Sequence, residues 1–171
     1  MRKLIWVIIV ICVMFYVGYG ESSDASTKGT GEKIQTAIQL FQSAPMHPNP
    51  AKPHPVDEGF DFLVAALRDL LPQTSYSQEV KTGVKKAIQR FNQCESIQKP
   101  KKIWNAGLQA LSSARENIEV EGKLEDEPFH IAKRVKAHLE ASIAYLEKQD
   151  YDHACAAVID AILLMFPIMG N

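Results

Sequence analysis

The sequence predicts an all-α protein: about six helices in three antiparallel helical hairpins, packed as a bundle or a short α-solenoid, behind an N-terminal hydrophobic leader. Three observations point there. Apolar residues recur at three- and four-residue spacings along successive stretches of the chain, the pattern of helices with one buried face. Residues Ala154 to Met169 are apolar nearly all round, with Asp160 as the one charge, and a helix of that kind is usually a buried one. The periodic stretches are separated by polar or proline-bearing connectors that cannot continue a helix.

The leader comes first. Met1, Arg2 and Lys3 make a short positive region, and Leu4 to Tyr19 carries no charge. Gly18 and Gly20 sit two apart, as small residues do before a signal-peptidase cut, so that Glu21 would begin the mature chain. Residues 1–20 are therefore expected to be a cleaved signal peptide or a retained membrane anchor. The run is a little short for a span of about 20 residues. Ile11 before Cys12 argues against a lipid-modified cysteine, which wants a small residue there. On either reading the domain is exported: periplasmic or secreted, or anchored to the inner membrane by residues 4–20 with the positive start left inside. Residues 21–31 are polar and low in complexity and read as a flexible linker. Residues 32–171 are enough for a single α-helical domain with a real core.

Within that domain the elements follow in order. Ile34, Ala37, Ile38, Leu40 and Phe41 space a first helix from Glu32 to Ser43. Ala44 to Pro55 holds five prolines in twelve residues and reads as a stiff, extended connector containing His47 and His54. The second helix runs from Val56 to Leu71, with Asp57 as its N-cap, Phe60, Leu63, Val64 and Leu67 inside, and Pro72 as its stop. Ser77 starts a third helix at Gln78, whose buried face is Val80, Val84, Ala87, Ile88 and Phe91. The fourth, from about Pro100 to Ile118, carries Trp104, Leu108, Leu111 and Ala114. Gly107 in its interior costs about 1 kcal/mol against alanine and so marks a close helix crossing. After an acidic connector, the fifth helix begins beyond Pro128 with Ile131, Val135, Leu139, Ser142 and Leu146 on one face. Asp150 then caps the sixth.

Charge narrows the partners. The chain carries a formal charge of −1, and without Arg2 and Lys3 it carries −3. Residues 79–102 hold a net +5 and residues 115–127 a net −4, so the basic stretch reads as a solvated face partly compensated by an acidic one. There is no basic footprint with interleaved aromatics for nucleic acid.

One local pattern is more specific. Tyr145, Leu146-Glu147-Lys148-Gln149-Asp150-Tyr151-Asp152-His153, Ala154 and Ala161 together resemble the middle and end of a tetratricopeptide repeat. The likeness covers about thirty residues. It departs at His138, where that family prefers tryptophan, at Ala141-Ser142, which stand for leucine-glycine, and at Pro167, which is one place late. The resemblance implies a tightly packed helical hairpin and, through it, peptide binding. The earlier hairpins show only a short echo, Ala37-Ile38-Gln39-Leu40-Phe41 against Ala87-Ile88-Gln89-Arg90-Phe91.

Candidate chemistry is sparse. If the six helices alternate strictly in direction, Cys94 and Cys155 fall at one end of the bundle, where an exported protein can join them in a disulfide. His138, His153 and Asp160 are the residues from which a metal site could assemble across the last hairpin. Asp160 otherwise needs Arg134 or His138 as a partner, or lies with His153, Ala157 and Leu164 on an outer strip. No nucleophile elbow, phosphate-binding loop or H-E-x-x-H stretch is present, so no cofactor and no catalytic activity is expected. The leading expectation is a non-catalytic helical protein of the bacterial cell envelope that binds a protein or peptide partner, touching the membrane only through its leader. The alternative is a small-ligand or metal-binding bundle. If Ala156, Ile159, Leu163 and Phe166 are exposed rather than buried, they form a possible partner surface, for a partner or for a second copy of the chain.

Overall fold

The computed structural model describes residues 27–44, 55–94, 101–120 and 130–169, with side chains at 101–102 and 166–169 left out. The leader, the linker up to residue 26, His47, His54 and the connector 121–129 lie outside the described residues. All six expected helices are present, and no strand occurs among the described residues. Residues 27–43 are helical and are named α1. The others are α2 (Pro55–Leu70), α3 (Gln78–Asn92), α4 (Lys101–Glu116), α5 (Ile131–Glu147) and α6 (Tyr151–Met169), with a single 3-10 turn at Leu71–Gln73 after α2.

Two boundaries differ from expectation. Residues 27–31, expected in the flexible linker, belong to α1. Thr30 is 2% exposed and its hydroxyl donates to Asp69 at 3.5 Å, while Lys33 pairs with the same carboxylate. Docking against the end of α2 thus overrides the two glycines. Asp57 lies inside the first turn of α2 rather than capping it, because Pro55, whose fixed φ suits a first helical position, starts the helix two residues earlier.

The helices pair as the hairpins α1/α2, α3/α4 and α5/α6. In α3 the buried residues are Val80, Val84, Ala87, Ile88 and Phe91, the stripe read from the sequence. Ser77 caps this helix by accepting from the Val80 N–H at 3.3 Å. In α3/α4 the close crossing sits where Gly107 was expected to mark it: a Cβ there would lie 2.7 Å from Phe91 Cε1. Gly83 makes a second such approach, with Ala114 Cβ at 3.0 Å from the Cβ it lacks. Phe60, Phe91 and Trp104 form an aromatic cluster where α2, α3 and α4 meet, with centroids 4.6–5.2 Å apart.

Helix α6 is the centre of the domain. Ala154, Cys155, Ala156, Ala157, Val158 and Ile159 are all at most 1% exposed. The helix packs on α5, α2, α4 and the 3-10 turn. Burying each large aliphatic side chain contributes about 1.5–3 kcal/mol, so the all-round apolarity of this stretch is what allows four elements to close on it.

The helices do not alternate throughout. The start of α1, the end of α2 and the starts of α3 and α6 meet at one end of the domain: Thr27 Oγ1 is 3.3 Å from Tyr151 Oη, Ser75 N–H donates to Asp152 at 2.7 Å, and Tyr76 donates to the Asp152 carbonyl. Gly83 against Ala114 brings the end of α4 to this end as well. Since α6 starts here, α5 ends here and must start at the other end. The end of α4 and the start of α5 therefore lie at opposite ends of the domain, and α4 and α5 run parallel. Cys94, after α3, and Cys155, early in α6, consequently sit at opposite ends and are separate thiols. The disulfide, possible only if the helices alternate strictly, fails on the parallel run of α4 and α5.

Candidate functional site

The last hairpin positions the residues singled out for metal binding, and it keeps them apart. Its turn is a Schellman closure: Gln149 N–H donates to the Leu146 carbonyl and Asp150 N–H to the Tyr145 carbonyl, both at 2.9 Å. Gln149 takes the left-handed conformation, φ 58°. Asp150 closes this turn and also caps α6, its carboxylate accepting from the His153 N–H at 3.2 Å. The His153 ring lies 2.8 Å from the Asp150 carboxylate and stacks on Tyr145 at 4.9 Å. Deep in the pair, Ser142 donates to the Ala154 carbonyl at 2.9 Å.

Asp160 lies two turns beyond His153 and faces another helix. Arg115, at the end of α4, grips it with two hydrogen bonds, Nε at 2.6 Å and Nη2 at 3.0 Å. That pairing, with burial opposing it, raises the Arg115 guanidinium further above its ordinary value. Asp160's partner is thus neither Arg134 nor His138, and Ala157 is buried, so no outer strip forms. His138 is 5% exposed in α5. Among the described residues no group of three His, Cys, Asp or Glu side chains could hold a metal ion. The expected set of His138, His153 and Asp160 does not assemble, because each of the latter two is drawn to a different neighbour.

The expected partner surface is also corrected. Ala156 and Ile159 are fully buried, being the contact of α6 with its neighbours. Leu163 is half-buried, and the Phe166 side chain lies outside the described residues.

A different apolar surface is present. Where α1 ends, α2 and α5 begin and α6 finishes, the four helices leave a groove of about 400 Å³. Leu139, Val135, Ile38 and Met165 are its buried floor, and Phe41 and Val56 are half-buried in its walls. The exposed Ala132 lies on its α5 side, between Lys133 and Ile131. Ile131, 36% exposed, is the one large apolar side chain among the described residues that counts as exposed. Among the described residues, Lys133 and Lys136 are the charged side chains lining the groove, both on α5 and both exposed. Lys136 reaches Glu140 one turn on, at 3.5 Å. The start of α2 next to Val56 is acidic but does not line the groove: burial, then the charges of Asp57 and Glu58, raise the Asp61 carboxyl above its ordinary value.

Comparisons with protein-family models, with curated proteins and with solved structures give no match. Among the described residues no helix is long and apolar enough to cross a membrane.

Proposed function

We propose that this is an exported, non-catalytic helical protein of the bacterial cell envelope, and that its groove between α1, α2, α5 and α6 binds an apolar segment of a protein or peptide partner. The groove is the observation that carries the reading. A floor of buried aliphatic residues, half-buried aromatic and branched walls and a lysine-bearing edge together match the way an amphipathic helix is seated, by apolar anchors spaced along one face. Its volume falls within the range of ordinary ligand clefts. Export rests on the sequence of residues 1–20 and on nothing in the domain.

Ala132 offers a clean test because it is exposed and lines the groove. Ala132→Trp places a bulky ring over the cleft without disturbing the core. A fluorescent eighteen-residue amphipathic helix of leucine, alanine and glutamine is the probe. The plugged protein should bind it at least tenfold more weakly than the unaltered chain, with an unchanged unfolding midpoint. Equal binding by the two proteins would rule the groove out. For export, residues 1–31 fused to a phosphatase active only outside the cytoplasm should give an active reporter, and an inactive one would remove that part of the reading.

A further inference from the structure

We infer that the segment seated in this groove is an acidic amphipathic helix, its carboxylates set three or four residues apart along the edge that faces α5. This rests on the groove being a peptide site, and it names the partner's chemistry. Among the described residues the charges lining the groove are of one sign and on one side: Lys133 and Lys136, both exposed. They stand three residues apart on α5, so their ammonium groups follow one another along the same helix edge, and carboxylates at i and i+3 or i+4 of a partner helix present the matching repeat. Among the described residues Lys136 is tied to Glu140, at 3.5 Å with both side chains about half exposed. Such a surface pair is weak, so a partner carboxylate can take the ammonium over at little cost. Asp57 and Glu58 follow Val56 at the start of α2, in the first turn where helix N-termini favour negative charge. They do not line the groove, and they set the opposite sign beyond its other wall. A partner helix with acidic residues on both edges would meet them, whereas one with a single acidic edge is oriented by the contrast. Rim charges of this kind act chiefly on encounter and register, and the apolar floor supplies the retention.

The test compares three fluorescent probes on the full chain. They share the leucine and alanine face and carry glutamate, glutamine or lysine at two edge positions four residues apart. The glutamate probe should bind about five-fold tighter than the glutamine probe, the effect of two exposed ion pairs. The lysine probe should bind more weakly than either, and the preference should shrink as salt is raised from 50 to 300 mM. In Lys133→Glu/Lys136→Glu, substitutions at exposed positions, the order of the three should invert. If all three bind within two-fold of one another, and Ala132→Trp still weakens them, the inference is overturned while the groove remains a peptide site. If none binds, or Ala132→Trp binds as well as the unaltered chain, the inference and the reading beneath it both fall. If the chain alone sediments as a dimer that Ala132→Trp dissociates, the occupant is a second copy and the acidic-partner inference is overturned.

Discussion

Gly107→Ala sets two opposite effects against each other, and the packing of α3 on α4 decides the sign. In an exposed helix the change favours folding by about 1 kcal/mol. At position 107 the new methyl would stand 2.7 and 3.0 Å from two carbons of the Phe91 ring and 3.2 Å from Arg90 Cβ. The ring cannot swing aside, since Phe91 is 5% exposed and its centroid is 5.2 Å from Phe60 and 5.0 Å from Trp104. Forcing a methyl into such a site costs about 1–3 kcal/mol. The helices must part or the cluster must shift, and the net result is a loss of about 1 kcal/mol. Gly31 supplies the control, because a Cβ there meets nothing within 4 Å and residue 31 is inside α1. Gly31→Ala should stabilise by up to about 1 kcal/mol. Urea unfolding followed by circular dichroism measures both, with a common m-value showing that the transition is unchanged. In a Phe91→Leu background, Gly107→Ala should become neutral or favourable. Stabilisation by Gly107→Ala in the unaltered protein would refute the close crossing, and destabilisation by Gly31→Ala would refute the helix at residues 27–31.

Four further outcomes are expected. Gln149 holds a left-handed backbone at the α5/α6 turn, so Gln149→Gly should raise stability by about 1 kcal/mol in the same assay, and a loss would mean the turn is built differently. Arg115→Met should cost about 2 kcal/mol by leaving Asp160 partly buried without its bidentate partner; adding Asp160→Asn should recover part of that loss, and strict additivity would show that the two side chains do not interact. Burial pushes the Cys155 thiol from an ordinary 9.0 up to about 12 and raises the Tyr76 hydroxyl as well. The fold thus favours the protonated thiol, its contribution is complete below pH 9, and stability falls as pH climbs toward 12 while the unfolded chain ionises first, by at most about 1.4 kcal/mol per pH unit for the thiol. Cys155→Ala should flatten that alkaline slope, and an unchanged slope would contradict it. By the same geometry a thiol reagent should modify the half-exposed Cys94 in the folded protein and reach Cys155 only on unfolding.

Much of the architecture was legible because it is local. The stripe Val80, Val84, Ala87, Ile88, Phe91 is a matter of helical spacing. Gly107 announces a crossing because little else explains a glycine in mid-helix. Asp150 and Ser77 are caps by residue type and position. What stayed hidden depends on which elements meet. Nothing in the sequence says at which end of the domain α5 begins, and the possible cysteine pairing failed on that point. Arg115 and Asp160 are forty-five residues apart on helices that are not neighbours in the chain, so no spacing links them. The groove was the least visible feature. Ile38, Val135 and Leu139 each read as ordinary members of their own helix's buried stripe, and only the assembly of four helices shows that the packing there stops short of closure. The stretch Ala154 to Ile159 read as a buried central helix and is one; the second explanation of its apolar surplus, a docking face through Ala156 and Ile159, fails because four elements already cover it.

Backbone amide shifts recorded while the neutral amphipathic probe is titrated into the full chain test the binding claim most directly. The perturbations should concentrate at residues 38–42 and 132–139 and around Met165, with Lys133 and Lys136 responding more strongly to the glutamate probe, and the opposite end, around Ser75, Tyr76 and Asp152, left unmoved. Shifts centred on that opposite end, or spread evenly over the domain at saturation, would contradict the assignment of the groove.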